Sequence, residues 1–246
     1  MGEALLEVTV LGPPDVAGAL AGGADRLHLL APGAGEGDVA LSPEPTVVSG
    51  VCRESDVPVF VLLRLNDSWT TTGGELTRLV GLAEDYLGCG AAGVSFGFLD
   101  SNLEVDAEVC LHLADRLPGV PWTFHRAIDS SLEPARAWRA LVDLPGLVAV
   151  RSAGSPRGMG VGYDDLLATA SSDPRIAALL MPGGGLVAEH VPWLAQAGVR
   201  QFHLGPQVRP SGSYKAYVDA SHVRSWRLLV DDAVGRAERT HRASAG

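Results

Sequence analysis

Short, nearly unbroken apolar runs alternate along this chain with segments whose apolar residues recur every three or four positions. The runs fall at 4–10, 25–30, 58–64, 93–98, 120–125, 147–151, 175–181 and 199–204. Each has strand length, and a strand covered on both faces reads as a continuous run. The periodic segments fall at 14–21, 44–54, 74–89, 104–116, 132–142, 163–171, 187–197 and 219–240. Leu76, Leu79, Val80, Ala83, Tyr86 and Leu87 form one helical stripe, and Val223, Trp226, Leu229, Val230 and Val234 another. Glycine stands between helix and run at Gly22-Gly23, Gly90, Gly146 and Gly198, as the left-handed residue closing a helix requires.

Strand and helix in alternation predict parallel strands joined by right-handed crossovers. Eight such units in 246 residues match a TIM-type (β/α)8 barrel, typically about 250 residues long. An open doubly wound sheet would place a Gly-x-Gly-x-x-Gly turn after its first strand; Gly12-Pro13-Pro14 stands there instead. One barrel domain over 1–246 is expected, frayed after about residue 238, with Gly-rich loops Pro32–Gly37 and Ser152–Gly162 after strands 2 and 6.

The net charge of −10, with no basic block, argues against nucleic acid, whose phosphates need clustered Lys and Arg. No run approaches the 18 apolar residues of a membrane span. The first residues lack the basic-then-apolar layout of a signal peptide, so the cytoplasm is expected. Cys52, Cys89 and Cys110 have no CxxC spacing and fall in helical segments. They read as small apolar or helix-surface residues, not as a disulfide or zinc framework.

In a parallel barrel the carboxyl ends of the strands converge on one mouth. Glu7, His28, Arg64, Asp100, His125, Arg126, Asp129, Arg151 and His203 all fall there. The densest stretch is Pro121-Trp122-Thr123-Phe124-His125-Arg126-Ala127-Ile128-Asp129. His125 could move a proton near neutral pH or ligate a metal; it could equally be a core histidine bonded to backbone. Arg126 could grip a carboxylate or phosphate, or pair with Asp129. If strand alternation persists, only one of His125 and Arg126 faces the barrel. Glu7, alone in an apolar strand, must be paired or partly protonated, and Arg64 is its expected partner. Gly183-Gly184-Gly185 follows strand 7, opens a helix and could cradle an anion with backbone N–H groups. His203 closes the ring of candidates, and Trp69, in a polar loop after strand 3, could cover the mouth. His28, His125 and His203 are the candidate metal ligands. Val223, Trp226 and Val230 could serve a homodimer or pack on their own barrel.

These residues resemble the CutC family, from Leu5 to about Val234. Thr123-Phe124-His125-Arg126-Ala127-Ile128-Asp129 is close to the family's T-F-H-R-A-F-D. Leu5-Leu6-Glu7-Val8, Gly23-Ala24-Asp25-Arg26-Leu27, Val57-Pro58-Val59 with Arg64, Gly97-Phe98-Leu99-Asp100, Gly183-Gly184-Gly185 and Phe202-His203 support it. The resemblance implies a barrel, a cytoplasmic role in copper homeostasis and copper as a ligand; composition and spacing name no cofactor. Where the family carries cysteines after the first-strand glutamate, this chain has Val8, Thr9 and Val10. Glu-Leu-Cys in strand 2 is His28-Leu29-Leu30, Arg-Pro-Arg-Gly-Gly is reduced to Arg64-Leu65-Asn66-Asp67, and Thr-Ser-Gly has become Arg151-Ser152-Ala153-Gly154. Cu(I) takes soft thiolate or thioether ligands, and none is expected at this mouth; His and carboxylate ligands suit Cu(II) or Zn(II).

Three functions remain open at this point. The first is copper homeostasis with direct copper binding. The second is an enzyme for a small phosphorylated or carboxylated metabolite, with His125, Glu7 and Asp129 as catalytic groups. There Arg64, Arg126, Gly183, Gly184, Gly185 and His203 would hold the anion. The third is a non-catalytic binding barrel.

Overall fold

The computed structural model describes residues 4–31 and 40–244; the Pro32–Gly37 loop lies outside the described residues. Its strands are β1 (Leu5–Val10), β2 (Arg26–Leu29), β3 (Val59–Leu62), β4 (Gly93–Phe96), β5 (Trp122–Phe124), β6 (Leu147–Ser152), β7 (Leu180–Pro182) and β8 (Gln201–Leu204). All pair in parallel in the order β7-β6-β5-β4-β3-β2-β1-β8. The two ends, β7 and β8, lie side by side. Gly183, just past β7, packs on His203 so closely that a Cβ there would sit 3.1 Å from the His203 Cβ. The result is a nearly closed TIM-type barrel with parallel strands.

The helices are α1 (Val16–Gly22), α2 (Pro45–Glu54), α3 (Gly73–Gly88), α4 (Ala107–Asp115), α5 (Pro134–Leu141), α6 (Met159–Ser172), α7 (Pro174–Leu179), α8 (Val191–Gln196) and α9 (Ala220–Ser244). Their starts follow local chemistry. Thr72 and Glu75 form a capping box on α3, and the Asp106 carboxylate accepts from the Val109 N–H at the start of α4. Proline opens α2, α5 and α7, where a missing N–H is tolerated.

One expectation changes. The run 175–181 is not one strand: residues 174–179 form α7, and β7 occupies only Leu180–Pro182. Pro174 begins that helix and the Asp173 carboxylate caps it by accepting the Arg175 N–H at 2.8 Å. The last helix, α9, extends past residue 238, to Ser244.

The strands carry two unlike faces. Leu6, Val8 and Val10 of β1, with Leu27 and Leu29 of β2, are buried among the helices' apolar stripes. The other face is charged. Glu7 of β1 reaches Arg151 of β6, and Arg26 of β2 reaches Met181 of β7. Neither strand pair is adjacent, so these contacts cross the barrel interior. Gly93 leaves room inside: a Cβ there would come within 2.6 Å of the Phe60 ring. Outside, Val223 and Val230 of α9 are fully buried on the chain's own barrel, and Trp226 is half-buried. Two of the three residues considered for a homodimer are thereby spent. Among the described residues no helix is long and apolar enough to cross a membrane.

Candidate functional site

An ionic layer fills the barrel just below its mouth. Strand register places Glu7 between Arg26 and His203. The Glu7 carboxylate, fully buried, accepts from Arg26 Nε at 2.6 Å, Arg151 Nη2 at 3.2 Å and His203 Nδ1 at 2.7 Å. Burial alone would raise its pKa; the two guanidiniums and the His203 bond outweigh that and hold it well below the usual carboxylate range. The expected partner Arg64 is not among these contacts. Its Nη2 donates to the Asp67 carbonyl at 2.7 Å, and its guanidinium lies 4.1 Å over the Trp69 ring. Arg26 takes its place because it sits directly across the β1–β2 pair.

Above this layer lies a cavity of about 350 Å³. It gathers Thr9, His28, Arg64, Trp69, His125, Arg126, Arg151, Gly184, Gly185, His203 and Tyr214. His28, Arg64, His125, Arg126, Arg151, His203, Gly184 and Gly185, from strand ends and the loop after β7, thus lie around one cavity. Trp69 covers it from the β3 side, its ring 5.2 Å from that of His125. Among the described residues, no Asp or Glu lines the cavity. Three guanidiniums and three imidazoles line it, with Glu7 bonded to Arg151 and His203, and Asp129 to Arg126, just behind them.

His125 and Arg126 both reach the cavity, against the expectation that only one would. The strand ends at Phe124, and residues 126–130 form a 3-10 turn that breaks the alternation. His125 Nδ1 accepts the Ala127 N–H at 3.2 Å, so its proton sits on Nε2. Burial, with Arg64 and Arg151 nearby, lowers its pKa to about 3. His203 has the opposite tautomer. Glu7 can only accept, so Nδ1 carries the proton, and Nε2 accepts from the Thr9 hydroxyl at 2.9 Å. Burial and Arg151 lower its pKa to about 4, outweighing Glu7. His28 is fully buried, edge-on to His203 with ring centroids 5.6 Å apart. Burial, then Arg151, holds it well below its ordinary value. Both His28 ring nitrogens and Arg151 Nε are buried without a protein partner. Such atoms are costly unless something polar meets them.

Asp129 lies outside the cavity, behind Arg126. Its carboxylate accepts from Arg126 Nε at 2.7 Å, Ser152 Oγ at 2.6 Å and the Ala153 N–H at 3.0 Å. That makes it a clamp that aims Arg126 and ties β6 to the turn after β5. Arg126 also donates to the Ser155 carbonyl at 3.1 Å. Gly184 and Gly185 line the mouth; Gly183 packs behind, on His203 and Arg151. Gly184 has φ +79°, and a Cβ there would strike the Arg126 guanidinium at 2.8 Å, so only glycine fits. The triple glycine does not open a helix: the six-residue α8 starts at Val191, after a 3-10 turn at Ala188–His190. Asp100 instead shapes its own loop by accepting the Asn102 and Glu104 N–H groups.

Several residues here escaped the sequence reading. Arg26 and Thr9 lie two positions from His28 and Glu7, and period two on a strand was the signal that could have found them. Tyr214 comes from a segment with no periodic signal. It is anchored by Arg209, whose guanidinium lies 5.2 Å from the Tyr214 ring and pairs with buried Asp15 at 2.7 Å.

Copper fits this donor set poorly. Glu7, His28 and His203 offer ligand atoms within 4.8 Å of one another. Glu7, however, is already shared by two guanidiniums, and a cation would enter an arginine-rich field. No cysteine lines the cavity. Met181 brings a thioether into the interior, which sequence reading had not placed there; its sulfur faces Arg26 Nη2 at 3.7 Å.

A family model described as the CutC family matches residues 4–208. A copper homeostasis protein cutC homolog from Homo sapiens is 29% identical over 214 residues, covering 85% of this chain and 76% of that protein. A family protein CutC from Xanthomonas campestris pv. campestris (strain 8004) is 30% identical over 204 residues, covering 82% and 81%. The crystal structure of a CutC from Streptococcus agalactiae superposes with a TM-score of 0.69 at 22% identity, covering 82% of this chain and 98% of that one. With the barrel and its mouth in place, a match over most of the chain shows that this protein belongs to the CutC family.

Proposed function

We propose that the barrel mouth binds a small anionic metabolite, carrying phosphate or carboxylate, as an enzyme's substrate. One observation carries this reading: Arg64, Arg126 and Arg151 converge on one cavity of about 350 Å³, and among the described residues no carboxylate lines it. Guanidinium forks suit both anions. His125, neutral with its proton on Nε2, donates to the bound anion and takes up a second proton as the added negative charge raises its pKa.

The relatives' names link the family to copper homeostasis. We propose that this chain shares that role, in the cytoplasm, without holding the ion itself. Calorimetric titration tests both parts. Inorganic phosphate should bind the wild-type protein, and Arg126→Gln should weaken it by about 10- to 100-fold, the loss of one charge-assisted contact. Cu(I) under reducing conditions should give no heat above buffer. Absence of phosphate binding, or a stoichiometric Cu(I) site, overturns the reading.

A further inference from the structure

We propose that Thr9 is a nucleophile in a Glu7–His203–Thr9 triad and that the mouth hydrolyses small carboxylate-bearing esters. This rests on the anion-binding reading and names the substrate class and reaction of that same site.

The geometry is that of an acid–imidazole–hydroxyl chain. Glu7 Oε1 accepts from His203 Nδ1 at 2.7 Å, and His203 Nε2 meets Thr9 Oγ1 at 2.9 Å. Both distances lie within the range expected for a base oriented by one group and bonded to its nucleophile. The chain is rigid. Glu7, Thr9 and His203 are all at most 6% exposed and sit on the paired strands β1 and β8. Thr9 and His203 both line the cavity, so the hydroxyl faces the ligand space. Two further observations point to a reacting group there. Arg151 also lines the cavity, and its guanidinium supplies positive charge to an oxygen that gains negative charge. Tyr214, half-buried, lines the same cavity as Thr9.

The chemistry balances with water as the only co-reactant. Thr9 Oγ attacks the ester carbonyl carbon while its proton passes to His203 Nε2. The tetrahedral oxyanion is met by Arg151. Collapse breaks the bond to the leaving alcohol, which takes the proton from His203 Nε2. Water then gives a proton to His203 and adds to the acyl carbon. Thr9 Oγ leaves and recovers its proton, releasing the acid. The substrate's carboxylate is held by the cavity arginines, and a flat apolar body fits against Trp69, Leu30 and Leu62 on the β2–β3 side.

The probe is 4-acetoxybenzoate, with neutral 4-acetoxybenzamide as its control. The wild-type protein should hydrolyse the anionic ester well above the buffer rate and at least about 10-fold faster than the amide control. Acid quenching should trap an acetyl group on Thr9, located by peptide mass spectrometry. Thr9→Val and His203→Gln should each lose at least about 100-fold in rate, while Thr9→Ser should retain turnover. Phosphate binding by Thr9→Val, measured calorimetrically, confirms that the variant is folded with its arginines in place. If wild type binds phosphate but shows no turnover, or if Thr9→Val retains it, the triad is overturned and the anion site stands. If wild type binds no phosphate, the anion-binding reading itself fails.

Discussion

Arg26 and Glu7 face each other across the β1–β2 pair, Nε to Oε2 at 2.6 Å, inside the barrel. Arg151 and His203 complete the shell around the same carboxylate. Removing one member of such a buried set leaves uncompensated charge, which costs about 3–5 kcal/mol. Glu7→Gln should lose that much in urea unfolding, because three partners lose their acceptor charge together. Loss of less than about 1 kcal/mol would show that the layer is solvated.

Acid should destabilise the protein well above the range of ordinary carboxylates. Unfolded, histidines bind protons below about pH 6.5. Folded, His203 does so only near 4 and His125 only near 3. Between those values the unfolded chain binds more protons, so stability falls as pH drops from about 6.5 toward 4. From pH 7 to 5 this is worth about 2 kcal/mol for each of the two. Glu7 adds a loss at lower pH: its stabilisation is present above the unfolded value and vanishes as pH falls through the depressed one. Unfolding free energies at pH 7 and 5 check this, and His125→Asn should reduce the difference between them by about 2 kcal/mol. A flat profile in the wild type would contradict it.

Most of the fold and part of the site could be read from residue order. Continuous apolar runs and post-helix glycines are local signals, and they located eight strands. The same signals misread residues 175–181, because Ile176-Ala177-Ala178-Leu179-Leu180-Met181 is apolar throughout and has no period to separate helix from strand. The capping residue Asp173 and Pro174 held the information that the run starts as a helix. The mouth was legible because strand ends converge by topology. The choice of Arg26 over Arg64 for Glu7 was not, since it depends on interstrand register. Asp129 looked catalytic beside His125 and Arg126; the 3-10 turn carries it behind them, onto Ser152.

The two mouth histidines should differ in tautomer. In ¹⁵N NMR of the protein at pH 7, His125 should carry its proton on Nε2 and His203 on Nδ1, as the Ala127 N–H and the Glu7 carboxylate require. The same tautomer in both would contradict the hydrogen-bond directions on which the proton chemistry rests.

Asp129 should act on binding only through Arg126. Asp129→Asn keeps the shape but removes the charge that holds the Arg126 guanidinium at 2.7 Å. Phosphate affinity should fall by about 10-fold. The pair Asp129→Asn with Arg126→Gln should be no weaker than Arg126→Gln alone. Additive losses would mean that Asp129 touches the ligand itself.

A crystal structure of protein purified without added ligand, with diffraction collected at the copper absorption edge, bears most directly on the anion-binding account. The account predicts an oxyanion group among Arg126, Arg151 and Gly184, with no copper signal at the mouth. Copper bound between Glu7, His28 and His203 would contradict it.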